Sequence, residues 1–181
     1  MRLLVVRHGE TPWNVENRVL GRTDVPLNER GRAQAAELAR HLADERICAV
    51  FSSPSSRAFE TAEAVAAGRG LTVVPDDRLL ERDFGIYEGT PRGGEEYQAA
   101  KRQFFKRLPE GESYGDMFVR VGSFLEDLRS GALGEFGPDD TVLVATHGGV
   151  GRIVASLFQD MEDEEFASFV MANCEALEFE L

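Results

Sequence analysis

Apolar and polar positions along the chain alternate in blocks of two periodicities. Arg2-Val6 is a short apolar run that stops at a glycine-containing turn, Arg7-His8-Gly9-Glu10, the pattern of a buried strand feeding a loop. Asn28 is placed to cap a helix running to about Ala43, in which Ala35, Leu38, Ala39 and Leu42 recur at helical spacing and should face a sheet. Ala49-Ser53 reads as a second buried strand. Ser56-Ala67 reads as a helix with Ala58, Ala62, Val65 and Ala66 inward and Gly68 as its stop, and Leu71-Val74 as a third strand. Ser113 can cap a helix to about Arg129 with Phe118, Val121, Leu125 and Leu128 on one face, and Gly131-Asp140 is a loop. Thr141-Ala145 is apolar enough for a central strand, it ends at Thr146-His147-Gly148-Gly149, and Val150-Phe158 suggests a helix after it. Leu177, Phe179 and Leu181 alternate with polar neighbours, as in a half-exposed last strand. Strands alternating with helices predict the α/β class, a three-layer α/β/α sandwich with a mostly parallel central sheet.

One stretch escapes both periods. From Asp83 to Gly111 the chain is broken by Gly85, Gly89, Pro91, Gly93 and Gly94 before a charged, aromatic segment from Glu95 to Arg107, which reads as a mobile cap at about 83–111 inserted between core elements. With 181 residues and 43% hydrophobic content, the whole chain, 1–181, is expected to form a single domain around one core.

Charge narrows the partners. Lys and Arg number 20 against 32 Asp and Glu, and a net charge of -12 opposes non-specific attraction to nucleic acid or an anionic membrane. An anionic ligand must then be captured by a local cationic pocket. About five apolar residues precede the first return of charge, too few for a signal peptide or a membrane span, so a cytoplasmic protein is expected. Cys48 and Cys174 show no metal or disulfide spacing and read as buried structural thiols. A homodimer is left open.

Three predicted strand ends carry chemistry, and in an open α/β sheet ligands bind outside the carboxyl ends of the strands. At the first, His8 sits between Arg7 and Gly9, where a fixed positive charge opposes imidazole protonation and also attracts phosphate. At the second, Ser52-Ser53-Pro54 leads to Arg57 at a helix start, in reach of an anion held at the helix's positive end. At the third, His147 and the Gly148 backbone N–H can stabilise charge on phosphoryl oxygens, the histidine as an imidazolium. Each alone is ambiguous: a lone histidine at a strand end ordinarily makes a hydrogen bond and nothing more, and arginines near helix starts are mostly solvated. Their convergence on one pocket is what turns them into a site. His41 has no ligand cluster around it and receives no function, and runs such as Glu162-Asp163-Glu164-Glu165 lack metal-ligand spacing and read as a solvated face. No catalytic metal and no cofactor are expected.

The stretch Leu4-Val5-Val6-Arg7-His8-Gly9-Glu10-Thr11-Pro12-Trp13-Asn14 resembles the signature of the phosphoglycerate-mutase-like histidine phosphatases. The resemblance continues, in the family's order, through Gly21-Arg22-Thr23-Asp24-Val25-Pro26-Leu27, Ser52-Ser53-Pro54-Ser55-Ser56-Arg57-Ala58, Leu80-Glu81-Arg82-Asp83-Phe84-Gly85, Glu88-Gly89, Gly111-Glu112-Ser113 and Thr146-His147-Gly148-Gly149. It implies the family's fold, with His8 as the nucleophile, Arg7, Arg57 and His147 binding the phosphoryl group, Asn14 adding a hydrogen bond, and Thr11 and Gly21 lining the same pocket. It further implies that Glu81 is the proton donor, a role in which a carboxylic acid needs a raised pKa. The residues alone leave Asp83, Glu88 and Glu110 as rival carboxylates.

The activity so implied is metal-independent hydrolysis of a small-molecule phosphate ester through a phosphohistidine. The insertion lacks the adjacent arginine pair that the family's mutases use for a carboxylate. Asp83-Phe84-Gly85-Ile86-Tyr87-Glu88-Gly89 and Gly111-Glu112-Ser113 are similar to the small phosphatase branch, which includes α-ribazole phosphatase and broad-specificity phosphatases. A cofactor-dependent phosphoglycerate mutase is the alternative, and a catalytically silent relative that binds phosphorylated ligands or a partner protein is another. Lys101, Arg102, Lys106 and Arg107 give the cap positive charge, read as a solvated face in preference to a site for a multiply anionic substrate. Ser55 and Gly151 depart from the family's usual larger apolar residues, which bears on substrate fit.

Overall fold

Leu3-Leu4-Val5-Val6 and Val142-Leu143-Val144-Ala145 are apolar without alternation, as a strand covered on both faces must be. In the computed structural model, which describes all residues 1–181, they are neighbours at the centre of a five-stranded sheet. The chain runs β1 (Arg2–Arg7), α1 (Pro12–Val15), α2 (Glu29–His41), β2 (Ile47–Ser52), α3 (Ser56–Ala66), β3 (Val73–Pro75), α4 (Glu95–Lys101), α5 (Tyr114–Arg129), β4 (Thr141–Thr146), α6 (Gly148–Phe158), α7 (Asp163–Ser168) and β5 (Ala176–Glu180). Strand order is β3-β2-β4-β1-β5, and only β5 is antiparallel to its neighbour. The expected α/β/α sandwich is the observed one.

The period of two in the central strands sorts side chains between two cores. Leu3, Val5, Val142 and Val144 pack with α5 and α6, through Val121, Phe124, Leu125, Ile153 and Val154. Leu4, Val6, Leu143 and Ala145 pack with α2 and α3, through Leu38, Ala62 and Val65. Both edges are blunted. Pro75 closes β3, where a missing N–H costs nothing, and Glu178 and Glu180 point outward from β5.

Several local expectations shift for physical reasons. β3 starts at Val73, not Leu71. On α5 the buried stripe is Tyr114, Met117, Val121, Phe124, Leu125 and Leu128, while Phe118 is half-buried and stacks on Phe166, 6.0 Å away. Phe166 belongs to α7, a helix too short for periodicity to reveal. Its first turn carries the acidic run, and Glu162 and Glu165 form a capping box there, so those carboxylates are exposed yet also start a helix. The two thiols are half-buried rather than buried, and Cys48 Sγ donates to the Thr141 carbonyl at 3.3 Å.

The 83–111 segment has its own small cluster, Phe84, Tyr97 and Leu108 around Val19. Backbone hydrogen bonds stitch it to the loop after α1: Val19 N–H donates to Thr90 O at 2.8 Å, Gly89 N–H to Val19 O at 2.8 Å and Arg92 N–H to Asn17 O at 2.9 Å. It therefore covers the end of the sheet where β1 and β4 stop. No helix is long and apolar enough to cross a membrane.

The turn after β1 is seated by a close approach of two backbones. A Cβ on Gly9 would lie 2.5 Å from the Gly31 carbonyl oxygen, and one on Gly31 would overlap the Glu10 carbonyl. Backbone on backbone cannot yield as a flexible side chain does. Gly31→Ala is expected to lower the unfolding free energy by about 1–3 kcal/mol in urea titrations.

Candidate active site

The ladder continues one residue beyond the strands on the cap side. His8 N–H donates to Thr146 O and Ser53 N–H to Ala145 O, both at 2.9 Å, so the side chains after β1, β2 and β4 stand next to one another. His8, Ser53 and His147 are all buried, and the two imidazoles meet edge to face with centroids 5.2 Å apart.

Hydrogen-bond chemistry fixes both rings. His8 Nδ1 lies 2.7 Å from the Gly9 carbonyl, which can only accept, so Nδ1 carries the proton and Nε2 the lone pair. Nε2 has no protein partner. His147 Nδ1 lies 3.2 Å from Arg57 Nη2, which can only donate, so Nδ1 is the acceptor and Nε2–H donates to Ser53 Oγ at 2.8 Å. His147 is therefore neutral here, not the imidazolium expected from the sequence. Burial is the largest reason both pKa values fall well below that of a free histidine, with the Arg57 charge next for each.

Arg57 is fully buried and touches no carboxylate. Its Nη2 donates to Gly21 O at 2.7 Å and Nη1 to Thr23 O at 3.1 Å, and burial lowers its pKa to about 10, which leaves it charged at neutral pH. Arg7 donates to the Met171 carbonyl, and burial lowers its pKa too. The Nε–H groups of Arg7 and Arg57 are buried without any acceptor.

A cavity of about 110 Å³ opens on Arg7, His8, Asn14, Glu81, Gly148 and Gly149. Asn14 Oδ1 accepts from Thr11 N–H at 3.1 Å and Asn173 Nδ2 at 3.3 Å, which leaves the Asn14 amide N–H groups free toward the cavity. Glu81 Oε1 accepts from Arg82 N–H at 2.8 Å and Oε2 from Gly149 N–H at 3.0 Å, which fixes the carboxyl group in the lining of the cavity that His8 shares. Of the four carboxylates left open by the sequence, only Glu81 lines the cavity. Asp83 accepts from Gly85 N–H at 2.9 Å, Glu88 collects the N–H groups of Gly21, Arg22, Thr23 and Phe84, and Glu110 is exposed.

Four expected binding residues are not on the cavity wall. Thr11 is fully buried as the N-cap of α1, its Oγ1 accepting from Asn14 N–H at 3.3 Å; Gly21 supports Arg57 through its carbonyl; Arg57 and His147 lie one layer behind His8. Thr11 and Gly21 thus act on the pocket through neighbours, because the turn that brings Asn14 forward needs Thr11 as its cap.

Another part of the lining was missed by sequence reasoning. It comprises Phe84, Arg92, Tyr97 and Lys101 from the cap, Tyr114 from α5, Arg152 from α6 and Phe169-Met171 before β5. Arg152 Nη1 donates to the Tyr114 hydroxyl at 2.7 Å, freeing that O–H to donate into the cavity. Of the cap cations weighed as solvated, Lys101 lines the cavity; Arg102 and Lys106 are exposed, and Arg107 pairs outside with Asp116 at 2.6 Å. A helical step from Gly148 to Arg152 was the signal available for Arg152. Nothing in the local sequence marked Arg92, which follows a turn residue. Both departures from the family pattern find a local partner: Ser55 Oγ accepts from Ser53 Oγ at 3.3 Å, and Met171 fills the space beside Gly151. No three His, Cys, Asp or Glu side chains converge to hold a metal ion.

The sequence pattern described as histidine phosphatase superfamily (branch 1) matches residues 3–181. Phosphoserine phosphatase 1 of Hydrogenobacter thermophilus is 32% identical over 182 residues, covering 96% of this chain and 83% of that protein. A mycobacterial glucosyl-3-phosphoglycerate phosphatase in complex with VO3 superposes with a TM-score of 0.85 at 29% identity, covering 98% of this chain and 91% of the other. The alpha-ribazole phosphatase of Shigella flexneri gives a TM-score of 0.83 at 28% identity, with 98% and 89% covered.

Neutral buried imidazoles set a sign for the pH dependence of stability. Below about pH 6.5 the unfolded chain takes up protons that His8 and His147 refuse in the fold, so their contribution is complete above that pH and is lost as pH falls toward their depressed values. Imidazole ¹⁵N resonances of both residues should stay in the neutral form from about pH 7.5 to 6, and unfolding free energy should decline below about pH 6.5. An imidazolium signal at pH 6.5 from either ring would contradict the assigned tautomers.

Proposed function

Because this chain belongs to the histidine phosphatase superfamily, branch 1, we propose that it is a phosphomonoesterase that passes the phosphoryl group through His8 without a metal ion. The observation that carries the reading is the fixed His8 tautomer: Nδ1–H is tied to the Gly9 carbonyl and the Nε2 lone pair is left unpartnered at the cavity. Nε2 attacks phosphorus as the ester P–O bond breaks, and Glu81, protonated at that stage, gives its proton to the departing oxygen. Water then attacks the phosphohistidine, Glu81 takes its proton, the N–P bond breaks, and inorganic phosphate leaves. Charge on the phosphoryl oxygens is met by Arg7, the Asn14 amide and the first-turn N–H of Gly148, while Arg57 adds its positive field from behind His8 and neutral His147 holds Arg57 in place.

The substrate is a small phosphate ester with a second anionic group. Arg92, Lys101 and Arg152 line the same cavity and none has a carboxylate partner, although acids outnumber bases in the chain. Burial lowers the Lys101 pKa, and the charges of Arg152 and Arg92 lower it further, so the cluster repels itself until an anion enters. At about 110 Å³ the cavity is far below the roughly 300–1,000 Å³ of sites for drug-sized ligands. Phosphoserine, the compound named in one relative, has both the size and the carboxylate.

The test is turnover of p-nitrophenyl phosphate, O-phosphoserine and 3-phosphoglycerate in chelator, assaying released phosphate and isomerised product. Phosphate release supports the reading; 2-phosphoglycerate without release makes the protein a mutase; silence on all three favours a binding role. His8→Ala is expected to lose at least about 10³-fold in turnover with the fold retained, and Glu81→Gln about 10²–10⁴-fold with phosphate affinity kept. Lys101→Met should raise KM for O-phosphoserine about tenfold and leave p-nitrophenyl phosphate unchanged, the signature of one lost charge-assisted hydrogen bond.

A further inference from the structure

The Gly111-Glu112-Ser113 stretch has no part in the cavity, yet Glu112 sits at the centre of a half-buried network. Its Oε1 accepts from Arg22 Nη2 at 3.1 Å and Arg120 Nε at 3.0 Å, and its Oε2 from Arg120 Nη2 and Asp83 N–H, both at 3.0 Å. The same two arginines donate to the backbone carbonyl of Glu81, Arg22 through Nε at 2.9 Å and Arg120 through Nη2 at 3.3 Å. The Glu112 backbone holds the following residues, with its N–H on Asp83 O at 2.9 Å and its carbonyl accepting Arg82 Nε at 3.0 Å.

We propose that Glu112 is a positioning residue for the proton donor: its charge locks Arg22 and Arg120 onto the Glu81 carbonyl and so fixes where the Glu81 carboxyl group points. One path transmits this: the Arg82 N–H that donates to Glu81 Oε1 belongs to the peptide bearing the clamped carbonyl, so a rotation there moves donor and acceptor together. Removing the Glu112 charge would leave two arginines facing each other without a counter-ion and release them from Glu81. Burial pushes the Glu112 pKa up, but the Arg120 hydrogen bonds and charge outweigh it and keep it low, so the clamp is charged at neutral pH.

The role rests on Glu81 being the proton donor, and it has a signature that loss of structure lacks. An acid matters for an alkoxide leaving group and little for p-nitrophenolate. Single-turnover rates of phosphohistidine formation are measured with O-phosphoserine and with p-nitrophenyl phosphate for the full-length wild type, Glu81→Gln, Glu112→Gln and Arg22→Gln. Glu112→Gln should slow the alkyl ester about tenfold more than the aryl ester, in the direction of Glu81→Gln, with the inhibition constant of inorganic phosphate within about twofold of wild type. Equal slowing of both esters, or a loss matched by weaker phosphate inhibition, overturns the role. Should Glu112→Gln fail to fold, Arg22→Gln keeps the Glu112–Arg120 pair and is expected to show the same ester dependence more weakly; an unchanged ratio overturns the proposal. Wild type without phosphohistidine overturns the catalytic reading beneath it, whereas wild type with phosphohistidine and a Glu112→Gln ratio equal to its own overturns the positioning role alone.

Discussion

Arg57 is kept inside the protein by uncharged acceptors, the carbonyls of Gly21 and Thr23 and the lone pair of His147 Nδ1. Burying a guanidinium without a counter-ion costs several kcal/mol by the usual reckoning of ion desolvation. The arrangement stands because neighbouring backbone dipoles are committed to it, and the rest of the site follows from that commitment. A donor facing Nδ1 forces His147 to be neutral and to hand its Nε2–H to Ser53. Burial first, and then the unneutralised Arg57 charge, suppress imidazole protonation at His8 and preserve its lone pair. A carboxylate beside Arg57 would have been a cheaper way to bury it and would have removed the positive field behind the cavity.

The same economy governs the surface and the cap. Most arginines of this acidic chain are neutralised outside the cavity, including Arg2, Arg32, Arg78 and Arg107. Arg7, Arg57, Arg92, Lys101 and Arg152 have no such partner, and all lie at or just behind one cavity. A molecule with excess negative charge thus gathers five unpaired cations around one cavity. The acids placed near that cavity are occupied: Glu88 is spent on backbone N–H groups and Glu112 on Arg22 and Arg120, which leaves Glu81 as the carboxyl group that lines it.

The sheet, its two apolar faces and the placement of His8, Arg57 and His147 near strand ends were legible in the sequence, because apolar periodicity and glycine-bounded motifs are local signals. Continuous runs such as Leu3-Val6 and Val142-Ala145 have the length and composition of strands covered on both faces, and parallel strands put their carboxyl ends on one edge. Short elements were not legible: α1 and α7 have too few residues for a period, and their stability comes from a cap and from Phe166 packing on aromatic neighbours. The choice of Glu81 among four carboxylates, the displacement of Thr11 and Gly21 from the wall, and the assembly of Arg92, Lys101, Tyr114 and Arg152 depend on segments distant in the chain meeting across the cap. Proton positions on the two histidines belong to the same category. The sequence by itself determined which chemical groups are present and which edge of the sheet they occupy; tertiary structure decided which atoms face the cavity, since hydrogen-bond partners are set by packing between elements and leave no periodic trace in the chain.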